Sequence, residues 1–357
     1  MKLTITAAAA LTLVPAIAGT PSAKSTTCAC ASVAQPDPLA HAPAGIMPDH
    51  AHAKGEWMVG YHLMRMEMGG HRQGTNDLTT AQVFELGFQA AAESMTMDMH
   101  MLELMYAPTD WLTLMVMANY IQNDMTMSMR GSHGGHGMMG AMPAMQPSQH
   151  SHTTEGWGDT SLTAIIPLLP ASERTSLTAG LGISAPTGDV GIMSNGMFTH
   201  YDMQLGSGTW DLLPSLTWKH NLNRFQLGAQ IDATLRLEDA NDSGYRKGHR
   251  IGSVTWVGAR VTDWLAVHTT LSASTEGEIE GHYNGPHRHS APNDFQANYG
   301  GDLIEAGGGA TILTPCQWGL LGNHTLGIRA TTPVYQDLNG IGMTTDWTLN
   351  VSWQKSF

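Results

Sequence analysis

Methionine and histidine are the side chains in this sequence whose chemistry stands out. The chain holds 24 methionines and 18 histidines. A thioether is a soft donor suited to Cu(I), and an imidazole suits Cu(II), zinc and nickel. The two types are densest in one stretch, at Met125, Met127, Met129, His133, His136, Met138, Met139, Met142, Met145, His150 and His152. Their recurrence where no core needs filling predicts weak, multi-site contact with copper-like ions. No spacing matches a closed zinc set, so no fixed coordination sphere follows. The competing account is that the stretch is low-complexity and that its methionines are flexible apolar filler. A second group, His282, His287 and His289 with Tyr283, lies in another long connection and could join the first, and His50 and His52 stand in an aperiodic leader where they could touch a metal, although solvated imidazoles are the rule there. For nucleophilic chemistry the one tempting residue is Ser207 in Gly206-Ser207-Gly208, which has no elbow around it and no nameable base.

The elements that must carry these side chains are strands. From Trp347 to Phe357 apolar and polar residues alternate strictly, broken only by Lys355, and the chain ends on an aromatic ring. The same period marks Trp57 to Met68, Met95 to Tyr106 and Trp111 to Asp124, and then further pairs up to Asn323–Thr332. Short turns alternate with long connections. This predicts an all-β fold, a transmembrane antiparallel up-and-down β-barrel of about twelve strands with short periplasmic turns and long extracellular loops. If Leu102, Leu104 and Tyr106 face lipid, side-chain alternation turns Met97, Met99 and Met101 to the lumen. The same logic assigns Met64, Met66, Met115 and Met117 to the lumen wall, with Gln226, Gln230, Asp232 and Arg236 on a later strand.

The rest of the chain bounds the function. Residues 1–18 form a basic start and an apolar core with Ala16-Ile17-Ala18 as a cleavage signal, other boundaries being 23 or 31. Residues 19–54 are expected to be a flexible periplasmic arm, and 55–357 the barrel, with a Met/His-rich extracellular loop over 125–156. Cys28, Cys30 and Cys316 make no disulfide framework. A formal charge of −13 without a basic stripe argues against nucleic acid. The expected partners are outer-membrane lipid and a small-molecule or metal-ion solute, and an oligomer is compatible with the pattern.

Seven stretches resemble an outer-membrane barrel family labelled as a channel or transporter of the MetA pathway of phenol degradation. They are MHMLELMYAPTDWLTLMVMANY from Met99, GWGDT from Gly156, SAPTGDV from Ser184, MQLGSGTWDLLPSLTW from Met203, GAQIDATLRL from Gly228, NDSGYRKGHR from Asn241 and PVYQDLNG from Pro333. The turns are generic singly, and their order makes the likeness specific. His200-Tyr201-Asp202 departs from it, standing where the family motif would carry Tyr-Pro. The resemblance implies an outer-membrane channel and no enzymatic activity. Three functions follow in order of support. The first is a channel for small solutes whose Met/His mouth binds copper-like ions, with no resident cofactor required. The second is a non-conducting copper-handling surface protein, and the third an outer-membrane hydrolase.

Overall fold

In the structure, a computed structural model, the described residues are 37–130, 148–169, 174–314 and 322–357. The strands are β1 (Trp57–Gly74), β2 (Ala90–Thr109), β3 (Leu112–Met129), β4 (Ser148–Trp157), β5 (Thr160–Pro167), β6 (Thr175–Ala185), β7 (Asp211–Leu222), β8 (Phe225–Arg236), β9 (Arg250–Arg260), β10 (Leu265–Glu276), β11 (Gly301–Leu313) and β12 (His324–Ser356). Apart from β4 and β5, neighbours in sequence pair antiparallel, and β12 pairs with both β11 and β1, so the sheet closes. β4 and β5 both lie along β3, one above the other, and form a single stave.

The last strand supplies two staves. Residues 325–338 pair with β11 and 338–356 with β1. Gln336 exchanges hydrogen bonds with Thr345, donating to its carbonyl and accepting from its N–H, and the Thr332 hydroxyl donates to the Asp346 carbonyl, so the two arms run side by side. A ring whose neighbours are all antiparallel needs an even number of staves. The eleven elements of the ring, with β12 counted twice, give the twelve expected from the sequence.

Period-two alternation sorts the two faces. Thr348, Asn350, Ser352 and Gln354 are buried inside, whereas Leu104, Val116, Ile231, Ile251 and Val257 are exposed outside as a lipid-facing surface. Trp57, Trp111, Trp264 and Phe357 stand exposed at the short-turn end, as an interfacial belt requires. Among the described residues no helix is long and apolar enough to cross a membrane. The crossing is made by strands, whose backbone groups find their partners around a closed ring along most of its length.

Two expectations need correction. The proposed loop 125–156 is strand at both ends, because β3 runs to Met129 and resumes as β4 at Ser148. The alternation Met125-Thr126-Met127-Ser128-Met129 is itself a strand period, and tertiary burial of Met125 and Met127 against Ala90, Ala92 and Met203 holds it in the sheet. The N-terminal arm, expected to be flexible, is an ordered plug from residue 37 onward: Leu39, Ala42, Ala44 and Ile46 are buried inside the barrel. It lacks a period because it is irregular backbone whose polar groups are taken up by the lumen wall. The expected signal segment, residues 1–18, and the three cysteines lie outside the described residues.

Candidate functional site

Toward its short-turn end the lumen holds residues 37–54, which bond to the wall. Lys219 Nζ donates to Ala40 O at 2.7 Å, Gln226 Nε2 to Leu39 O, and both Gln230 Nε2 and Thr217 Oγ1 to Pro48 O at 2.9 and 3.0 Å. The His52 N–H donates to Thr113 Oγ1 at 2.9 Å, and Arg260 pairs with Asp37. Ala42 and Ile46 pack on Val254 and Trp256, whose indole donates to Gln226 Oε1. Small wall residues make the room: a Cβ on Gly258 would meet Leu39 at 2.8 Å, and one on Gly180 would meet Pro48 at 2.7 Å. The sequence-assigned lumen residues Gln226 and Gln230 are thus plug ligands. Asp232 pairs with Arg250 at 2.8 Å, and Arg236 with Asp211.

Within the plug four polar side chains converge. The rings of His41 and His50 are 4.4 Å apart and those of His50 and His52 4.8 Å. His50 Nε2 faces His52 Nε2 at 3.2 Å, while its Nδ1 meets Asp49 Oδ1 at 2.6 Å. Asp49 Oδ2 accepts from the Ala42 N–H and from Lys219. His41 Nδ1 is buried with no hydrogen-bond partner. Burial, then the neighbouring His50, push His41 down to about 3 and His52 to about 4. Against its burial, His50 and Lys219 hold the Asp49 carboxyl well below the usual range.

Beside the plug stands the methionine wall. Met58, Met101, Met105, Met115 and Met117 form one buried cluster with Ile165, against which Met47, Met64 and Met99 of plug and wall pack. Met97 belongs to a second cluster nearer the mouth, with Met68, Met95, Met125, Met127 and Met203. Met66 lies half-buried on the same row. Above the plug a cavity of about 300 Å³ is bounded by Met47, Met115, Met117, Gln230 and Arg250, and reaches Leu213, Pro214, Ala233 and Thr234. There the β7–β8 ladder skips from Leu212↔Leu235 to Ser215↔Asp232 without a change of register. Pro214 has no N–H to offer, so the wall is unpaired beside the cavity.

At the mouth the β3–β4 ladder sets Met125 opposite His152 and Met127 opposite His150. Met127, Met129, His150 and His152 line a cavity of about 280 Å³ with His200 and Arg288, two residues that sequence reasoning did not enlist. His200 Nε2 is 3.1 Å from Met127 Sδ, and its Nδ1 is 2.7 Å from Asp294 Oδ1. Burial opposes its charge, yet the Asp294 hydrogen bond and the Asp202 carboxylate raise its pKa. The signal was the family departure at His200. Met125 is packed in the apolar cluster away from this cavity. His133, His136, Met138, Met139, Met142 and Met145 lie outside the described residues. The rings of His287 and His289 lie tilted to one another with centroids 4.5 Å apart, and Tyr283 lies flat between Phe198 and Tyr201. Ser207 Oγ lies 2.9 Å from both Asp159 Oδ2 and Asp211 Oδ2, and these bonds tie a loop.

The family described as "Putative MetA-pathway of phenol degradation" matches residues 79–341. An outer membrane channel from Pseudomonas putida F1 superposes with a TM-score of 0.56 at 16% identity, covering 86% of this chain and 97% of that one. A FadL homologue from Pseudomonas aeruginosa gives a TM-score of 0.38 at 10% identity, with 84% and 89% covered. A variant of the TodX monoaromatic hydrocarbon channel gives 0.42 at 10%, with 86% and 91% covered. Among curated proteins no sequence matches the chain.

Proposed function

Because the chain belongs to the family described as "Putative MetA-pathway of phenol degradation", we propose that this outer-membrane barrel passes small aromatic solutes of the phenol type. The observation that carries the reading is the lumenal cavity of about 300 Å³. Its wall mixes thioethers of Met47, Met115 and Met117 with Gln230, Asp232 and Arg250. Methionine sulfur contacts aromatic ring edges favourably, and the polar groups offer partners to one hydroxyl. Residues 37–54 bar the straight way down, so the solute enters from the long-loop mouth and leaves through the unpaired seam at Pro214 toward the bilayer. Uptake of phenol into vesicles carrying the refolded barrel tests this. Met117→Trp, which fills the cavity, should slow uptake at least about tenfold with the fold retained. Uptake no faster than in empty vesicles would sink the proposal.

A second reading is copper handling at the mouth, supported by the contact of His200 Nε2 with Met127 Sδ and by His150 and His152 on the same cavity. Arg288 lines that cavity and disfavours a cation. Cu(I) titration of His200→Ala in the full chain is the check: binding unchanged from the parent would exclude the mouth.

A further inference from the structure

We propose that His41, His50 and His52 form a binding site for a divalent transition-metal ion of borderline softness, of the Cu²⁺, Ni²⁺ and Zn²⁺ class, which clasps the N-terminal plug inside the lumen. Three imidazoles of one short segment follow one another here, with ring centroids 4.4 Å apart from His41 to His50 and 4.8 Å from His50 to His52. His50 Nε2 and His52 Nε2 are 3.2 Å apart. A tetrahedral ion with metal–nitrogen bonds of about 2.05 Å separates its ligand nitrogens by about 3.3 Å, so this pair already has the spacing of two ligands. The donor atoms of His41, Asp49 and His50 fall within 4.8 Å of one another.

The third ligand is the informative one. His41 Nδ1 is buried and has no hydrogen-bond partner, and buried polar atoms are otherwise almost always partnered. An ion seated between the three rings supplies that partner. The outer shell is also that of a metal site. Asp49 Oδ1 takes the far nitrogen of His50 at 2.6 Å, and Glu56 Oε2 that of His52 at 3.4 Å. A carboxylate behind His50 and another behind His52 fix the tautomers of those two rings and strengthen them as ligands. Among the described residues Lys219 is the cationic side chain that opposes an ion here, and it is answered by Asp49 at 3.3 Å. Ala51, between the two histidines, packs on the methionine cluster, which seals one side of the site with soft, apolar groups. The depressed pKa values of His41 and His52 agree with rings that keep their lone pairs at neutral pH.

The experiment is a Cu²⁺ titration of the full chain, refolded in detergent and stripped with chelator, followed by electron paramagnetic resonance. One site with nitrogen coupling from several imidazoles is expected. His41→Ala and His50→Ala should each weaken it on the order of 100-fold, and Glu56→Gln about tenfold, as outer-shell losses do. His152→Ala with Met127→Ala should leave it unchanged. Retention of the barrel's gel-mobility shift on heating shows that the variants fold. A copper site that survives His41→Ala and His50→Ala, or that disappears with the mouth pair, overturns the proposal. Phenol uptake measured on the same variants reports on the transport reading separately.

Discussion

The plug and the mouth each gather histidines beside methionines, and the two sites treat a proton in opposite ways. In the plug, burial and imidazole–imidazole proximity depress His41 and His52. At the mouth the Asp294 contact, with Asp202 behind it, raises His200 although it too is buried. The lesson is that ligand residue types alone do not make a cation site. What surrounds each ring decides: Asp49 is matched with His50 and Lys219 below, whereas Arg288 and the Asp294-bonded His200 line the mouth.

The largest expected effect that separates them is conduction. Removing residues 37–54 should turn a closed or barely conducting barrel into one with steady conductance in a planar bilayer, while mouth substitutions should not. An unchanged trace after deletion would mean that the plug does not bar the lumen. Next in size is Trp256→Ala, which removes the surface under Ala42 and Ile46 and the partner of Gln226. Large-to-small changes of this kind cost about 3–5 kcal/mol, enough to release the segment, to be read as protease cleavage between residues 37 and 54 with the barrel intact. Persistent protection would show that the wall hydrogen bonds suffice to seat the plug.

A smaller effect follows from pH in metal-free protein. His41 and His52 bind fewer protons in the seated plug than when released. Their contribution is therefore present above about pH 6.5 and is lost as pH falls toward 4. His200 has the reverse sign: its contribution with Asp294 is present below 6.5 and is lost as pH rises through its elevated value. Amide hydrogen exchange should thus loosen in the plug on acidification and in residues 199–203 on alkalinisation. Both regions loosening in the same direction would break the contrast. Smallest is Asp294→Asn, which should cost the mouth about 1–3 kcal/mol and lower the pH at which His200 exchange rises, leaving the plug profile unmoved.

Most of the barrel was legible in the chain itself. Met97, Met99, Met101, Met115 and Met117 stand on inward rows because side-chain direction in a strand depends only on parity, and Trp347 to Phe357 announces the closing strand for the same reason. The mouth was half legible. Met127 and His150 face each other through a local hairpin, yet His200 arrives from a loop about fifty residues away and left only a departure from the family motif. The plug was hidden. Pro, Ala and His without a period read as an arm, since nothing local reveals that Lys219 and Gln226 will receive the carbonyls of Ala40 and Leu39.

What the sequence determined by itself is therefore the sheet: strand period, the two faces and an even stave count, all set by near-neighbour sterics and backbone pairing. Tertiary structure alone decided what fills the ring, where the wall is left unpaired at Pro214, and which histidines meet. Closing the barrel brings residues some 180 positions apart within hydrogen-bond reach, and only that closure creates the desolvated interior in which an imidazole without a partner acquires a chemical meaning.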